Sequence, residues 1–250
     1  MRPHRLALAL LLCGSAAYAG TEITIETRKA GAPADAKPQL SHVAVEGRML
    51  SFDAGDGRHG FVYRGEEGVL QILDHRKKSV LRIDRDTALG MSRSLSRLPA
   101  AEREAVEGLL GTNRAPAKVE LRATGRSERV SGTDCKLIEA LRDGARFAEI
   151  CEGPTGALGV TPAALAPARE LAELVAEVGA ALPKSLGGEA LDALAVIRQV
   201  KGVPLRVRTW PEGHPATESR IASVMPKHFG PERFQPPADY RSDLGVRVGP

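Results

Sequence analysis

Cys135 and Cys151 are the residues of this sequence best placed to react with each other. Thiols flanking a sharp turn form a disulfide wherever the compartment is oxidising. Asp143-Gly144 lies between them and supplies the turn, with Gly144 suited to a positive φ. A three-residue loop, Arg142-Asp143-Gly144, sets Leu141 opposite Ala145 and, counting back along both strands, Cys135 directly opposite Cys151. A two-residue loop would pair Lys136 with Cys151 and send the thiols to opposite faces, so the bond favours the longer loop. The spacing is not that of a redox C-x-x-C pair, and the role expected of the bond is structural.

Other reactive side chains do not assemble into a known constellation. Gly55-Asp56-Gly57-Arg58-His59-Gly60 spells the letters of a dinucleotide fingerprint, but Phe61-Val62-Tyr63 after it is strand-like. Without a helix N-terminus facing a pyrophosphate the letters have no mechanism, and a hairpin loop is expected. His42, His59, His75, His214 and His228 are dispersed and show no metal-ligand spacing. Asp84 and Asp86 lie two apart on an expected strand, sharing one face between Arg82 and Arg85, which reads as a solvated edge. No G-x-S-x-G elbow is present, and Ser131-Gly132 falls inside a strand-like segment. The reading is therefore non-enzymatic, with no metal and no cofactor.

The elements that would position any site are legible from periodicity. Ile23-Thr24-Ile25, Val43-Ala44-Val45, Val69 to Leu73 and Val80 to Ile83 alternate as strands do, separated by short polar or glycine-containing breaks. Such breaks suit an antiparallel meander, since parallel strands need long crossovers. His75-Arg76-Lys77-Lys78 falls in one of them and reads as a solvated hairpin turn. A first helix is expected after Pro99, ending near Gly111. Strands resume over 118–124, 130–141 and 145–151. Leu171, Leu174, Val175, Val178 and Leu182 then recur at helical spacing, on a helix opening near Pro162 or Pro167, and a second helical stretch runs from Glu189 to about Val200. Alternation returns at Leu205, Val207 and Thr209 and again over 218–225, before a proline-rich tail. The fold class expected is α+β: a curved, open antiparallel sheet, a half-barrel, with α-helices covering its concave face.

The N-terminus has the order of an export signal: Arg2 and Arg5, the apolar run Leu6 to Leu12, then Ala17-Tyr18-Ala19 as a cleavage site. Cleavage after Ala19 discards Cys13, which follows Leu12 where lipoprotein processing requires Gly, Ala or Ser. The apolar run is also far short of the roughly 20 residues of a spanning helix. Removing 19 of the 250 residues leaves 231, read as a single domain over 20–250 with a helical insertion about 162–200. With two arginines gone, 33 basic residues face 31 acidic ones, and the basic ones are scattered, which argues against a nucleic-acid partner.

Val130-Ser131-Gly132-Thr133-Asp134-Cys135, Asp143-Gly144 and Glu149-Ile150-Cys151 resemble the centre of a family of exported bacterial proteins whose domain has no assigned function. Gly202-Val203-Pro204-Leu205-Arg206-Val207, Glu218-Ser219, Val224 and Phe234-Gln235-Pro236-Pro237-Ala238-Asp239-Tyr240 look like that family's C-terminal signature. The family is similar in architecture to the outer-membrane lipoprotein carriers, whose groove under the helices holds acyl chains. The resemblance implies a lipid or lipoprotein acyl site here.

Two functions follow as expectations. The first is a periplasmic carrier or sensor binding an apolar ligand between sheet and helices, with Leu171, Leu174, Val175, Val178, Leu191 and Leu194 as candidate lining. Helical apolar stripes ordinarily form plain core, so this reading requires open space beneath the helices. The second is an interaction module that docks on an envelope protein with no small ligand.

Overall fold

The computed structural model describes residues 20–33, 35–110, 118–178, 188–210 and 215–243; the side chains of 87, 91, 92, 106–110, 178, 188–192 and 243 are outside that description. Residues 1–19 with Cys13 and Ala19, His214, and the side chains of Val178 and Leu191 thus lie outside the described residues.

Six strands follow one another first: β1 (Gly20–Lys29), β2 (Gln39–Glu46), β3 (Met49–Asp53), β4 (His59–Arg64), β5 (Val69–Asp74) and β6 (Ser79–Asp84). Helices α1 (Arg85–Arg97) and α2 (Ala100–Leu110) lead to a second meander, β7 (Val119–Val130), β8 (Thr133–Arg142) and β9 (Ala145–Gly153). Then come α3 (Pro162–Val178), α4 (Gly188–Gln199), β10 (Val203–Thr209), β11 (Thr217–Lys227) and the short β12 (Arg241–Asp243). Because β11 returns to pair with β1, the two meanders fuse into one open sheet of twelve strands, β12-β6-β5-β4-β3-β2-β1-β11-β10-β9-β8-β7. Every neighbouring pair is antiparallel except β12 with β6. No described helix is long and apolar enough to cross a membrane.

Most local expectations match. The Gly55–Gly60 stretch joins β3 to β4, with Asp56 Oδ1 accepting from the Arg58 amide at 2.8 Å, and the basic run is the turn between β5 and β6, held by Asp74. Three differences have physical causes. Asp84 and Asp86 do not share a strand: Asp84 ends β6 and its carboxylate accepts from the Asp86 amide at 3.1 Å, so it caps α1 and Asp86 sits in the first helical turn. Ser131-Gly132 is not inside a strand but is the turn between β7 and β8, both residues having positive φ (49° and 79°), which two-residue hairpin turns require.

The third difference concerns the disulfide register. Cys135 and Cys151 are bonded, with Cα atoms 5.3 Å apart. The loop between them, however, is the two-residue Asp143-Gly144, which pairs Arg142 with Ala145. A bulge then intervenes: Leu141 faces Arg146 but Ala140 faces Ala148, leaving Phe147 as the extra residue. The slip sets Leu137 opposite Cys151, so Cys135, two residues back, shares that face and reaches diagonally. A short loop plus a bulge restores what the longer loop was expected to supply. The bond lies in a cluster with Leu137, Val160, Val203 and Leu205. Converting both thiols by Cys135→Ser and Cys151→Ser is expected to cost about 3 kcal/mol. This is read as a lower urea midpoint; an unchanged midpoint would mean the cluster holds the hairpin without the bond.

The strands β2 to β6 carry apolar residues in both directions. One way, Val45, Leu50, Tyr63, Leu70 and Ile83 pack with Leu171, Leu174 and Val175 of α3 and Ala88 of α1. The other way, Ala44, Val62, Leu73 and Val80 pack with Phe234 of the C-terminal segment. Thr161 starts α3, its Oγ1 accepting from the Ala164 amide at 3.2 Å, and Arg48–Glu170 and Arg85–Glu177 pairs fix its outer side.

Across β7, β8, β9, β10, β11 and β1 one row of side chains is charged. Direct cross-strand pairing runs Arg122, Glu139, Glu149, Arg208, Glu218, Arg28, one residue from each of β7, β8, β9, β10, β11 and β1. Opposite charges facing across strands are favourable, and the like pair Glu139–Glu149 is relieved by further arginines. Arg146 reaches Glu139, while Arg126 and Arg206 reach Glu149. Glu139 and Glu149 lie beneath their outer arginines: Glu139 is 15% exposed under Arg122 at 65%, and Glu149 is 7% exposed under Arg126 at 60%. Hydrogen bonds from Arg28 to Glu26, and from Arg122 to Glu139, hold both carboxyls below their ordinary range.

Candidate apolar-ligand groove

Val196 in the C-terminal half of α4 and Val200 just after it pack against Ala140, Ala148 and Ile150 of β8 and β9, and this cluster seats the helix on the sheet. Beside it the packing opens. Ala193, Val196 and Ile197 of α4 form one wall of a groove of about 240 Å³. Its floor is strand: Ala148 of β9, Val207 and Thr209 of β10, Ser219 and Ile221 of β11, and Ile25 of β1. Val207 faces Ser219 and Ile25 faces Ile221 in the ladder, so alternation delivers these side chains to one side.

Two aromatic residues close one end. Phe147 owes its place to the bulge that also sets the disulfide register. Trp210, just beyond β10, donates its backbone N–H to the Phe147 carbonyl at 2.8 Å and is 36% exposed. An arginine lies over each ring: the Arg142 guanidinium carbon is 5.0 Å from the Phe147 centroid and that of Arg146 is 4.4 Å from the Trp210 centroid. Cation–π stacking of this kind fixes ring orientation and keeps the charge near the surface.

Size limits what the groove can take. Drug-sized ligands fill about 300–1,000 Å³, while a dry cavity of about 150 Å³ accepts benzene. Scaling from the latter, the groove suits a single apolar chain of about ten carbons. Polar groups along it are few, so recognition along the chain would rest on burial.

The residues expected to line a ligand are placed elsewhere. Leu171, Leu174 and Val175 are buried in the α3 cluster against Leu50, Tyr63 and Leu70, and Leu194 packs partly buried at its edge. None of these four lines the groove. The signal that sequence reading passed over was the single tryptophan of the chain, together with Phe147 next to an Asp-Gly turn.

A larger hollow of about 610 Å³ lies under the C-terminal segment, among His42, Asp53, His75, Lys227 and Arg233. Its charges largely satisfy one another: Arg233 pairs with Asp53, Lys227 with Glu22 at 2.7 Å, and His75 Nδ1 lies 2.6 Å from the Tyr240 hydroxyl. Those contacts describe a fastened strap. Among the described residues no three His, Cys, Asp or Glu side chains converge to hold a metal.

No family model matches the chain, and no curated protein matches it. Among solved structures, an uncharacterised conserved protein from Thermus thermophilus is similar at 9% identity, covering 90% of each chain with a TM-score of 0.44. The MucA/MucB complex of Pseudomonas aeruginosa matches at 10% identity over 89% of this chain and 57% of that one, with a TM-score of 0.34. A LolA superfamily protein from Nitrosomonas europaea matches at 9% identity over 88% and 91%, with a TM-score of 0.29. Similarities of this order leave the functional argument to the residues themselves.

Proposed function

We propose that this protein is an exported, non-enzymatic carrier or sensor that holds one apolar chain between α4 and the strands β9 to β11. The observation that supports this reading is the groove itself: an opening beside a close-packed helix, walled by Val196, Ile197, Val207 and Ile221 and ending at two aromatic rings. In this reading the helices lie over the inner face of one curved carrier-like domain, and the groove is the part of that interface left unfilled. The leader sequence and the disulfide both suit an oxidising compartment outside the cytoplasm.

Each methylene removed from water contributes roughly 0.8 kcal/mol, so a chain of about ten carbons supplies about 8 kcal/mol gross. Association costs of about 4 kcal/mol set against it leave about 4 kcal/mol net, an affinity of about 1 mM. Such a ligand is exchanged readily, as a carrier or sensor needs.

Trp210 makes the test direct, since it is the only tryptophan in the chain. Titration with ω-bromodecanol is expected to quench its fluorescence saturably, because bromine held in the groove lies against the indole. Ala193→Phe, a change at an exposed wall position, is expected to abolish the quench by filling the groove while leaving the urea midpoint in place. Absence of saturable quenching in the native protein would sink the reading and favour an interaction module without a small ligand.

A further inference from the structure

We propose that the chain held in the groove ends in an uncharged oxygen, an alcohol or an ester, that accepts hydrogen bonds from paired hydroxyls in the groove floor. This rests on the groove being the binding site and adds the identity of the ligand's polar end.

Thr209 and Ser219 are the hydroxyl-bearing residues of the floor, and each is tied to a second hydroxyl. Thr209 Oγ1 lies 2.7 Å from Thr217 Oγ1, its direct partner across β10 and β11. Ser219 Oγ lies 2.8 Å from Thr27 Oγ1, its partner across β11 and β1. A hydroxyl has one hydrogen to give, and a bond between two hydroxyls consumes only one of the two. Each pair therefore keeps one O–H hydrogen, and no acceptor among the described residues takes either of them. All four residues are half-buried, so these donors are held by the sheet yet remain open to an occupant of the groove. The charges nearby are already matched. Arg220 sends its guanidinium to Glu26 at 3.2 Å, and Arg142 stacks on Phe147 and has a further partner. Arg146, over Trp210 and outside the lining, pairs with Glu139 at 3.4 Å. A carboxylate, phosphate or ammonium head would leave water without a counter-charge to spare for it, which costs far more than burying a neutral oxygen that receives a hydrogen bond.

Equilibrium dialysis of the full mature chain at neutral pH, with trace radiolabelled decanol, methyl decanoate, decanoate, decylammonium and decane, tests the proposal. Decanol and methyl decanoate are expected to be retained about tenfold more strongly than decanoate and decylammonium. The better retained of the two neutral heads identifies alcohol or ester. Decanoate or decylammonium retained as well as decanol would overturn the uncharged head while leaving the groove standing. Failure of every probe to be retained, decane included, would instead remove the groove reading and this one with it. Thr209→Val combined with Ser219→Ala removes one hydroxyl of each pair with little change of shape. It is expected to lower decanol retention about fivefold and leave decane unchanged. Decanol retention that survives the double substitution would overturn the assignment to these hydroxyls.

Discussion

Glu149→Ala is expected to destabilise the protein by about 4 kcal/mol, the cost of taking from a buried cation its one buried counter-charge. Glu149 and Arg206 each retain only 7% side-chain exposure and lie 3.2 Å apart. Arg126 and Arg208 approach the same carboxylate at 3.1 and 3.6 Å, so Glu149 is shared by a knot of three guanidinium groups. Without it Arg206 keeps Glu128, itself 36% exposed, and the Arg206 Nε is buried with no hydrogen-bond partner among the described residues. Glu218→Ala supplies the contrast: its pairing with Arg208 is between half-exposed groups and should contribute less than about 1 kcal/mol. Urea unfolding measures both, and a shift in midpoint without a change in slope marks a change in stability. Equal small losses for the two variants would show that burial of Glu149 carries no special weight. Acid should act on the same lattice. The carboxyls of Glu26 and Glu139 are lowered on folding, so their contribution is complete above the unfolded value of 4.5 and is lost as pH falls through the folded values.

Phe234→Ala should cost a similar amount, about 3–5 kcal/mol, because it removes a buried ring from a closed cluster. Phe234 is 2% exposed among Ala44, Val62, Leu73 and Val80, and meets the Phe229 ring edge-on at 5.7 Å. Its neighbours along the chain are tied by polar contacts, Arg233 to Asp53, Lys78 to Asp239 at 2.8 Å and Tyr240 to His75, and by Phe229 and Tyr240, which pack only partly buried against the same cluster. Exposed ion pairs contribute little, so the ring is the main anchor of the segment. The variant is therefore expected to become sensitive to native-state proteolysis within 228–243 before it unfolds globally. Loss of less than about 1 kcal/mol, with the segment still protected, would contradict this account.

How much of this was legible in the sequence depended on whether the determinant was local. Alternation marked β1, β2, β5 and β6, and helical spacing marked α3 and α4, because side-chain periodicity reports the face a single element buries. Residues 85–97 were missed because Val80 to Ile83 alternates up to the helix start, and the capping role of Asp84 is indistinguishable by letter from a strand-end aspartate. The cysteine pair was read correctly and its register was not: one unpaired residue at Phe147 moves every later partner by one position, and nothing in a sequence counts bulges. The packing of the α3 stripe was illegible for a different reason. Leu171, Leu174 and Val175 looked like lining because they are apolar, yet whether such a stripe meets other side chains or empty space is decided by strands more than a hundred residues away. The charged ladder was invisible for the same reason, being a coincidence of register across six strands.

A sheet that does not close has two free sides where backbone donors and acceptors invite further strands. At one side, β12 pairs with Ser79, Val80 and Leu81 through its Arg241–Asp243 backbone, so the last described residues of the chain occupy the place that another molecule's strand would take. At the other, β7 is long, but its ladder is broken between Ala123 and Ser127, where Gly125 takes φ 73°, and it carries the outward-facing Arg122 and Arg126. One border is filled by the protein's own chain and the other is kinked and charged. Both edges are thus guarded against pairing with another molecule's strand, and residues 241–243 serve containment as well as folding.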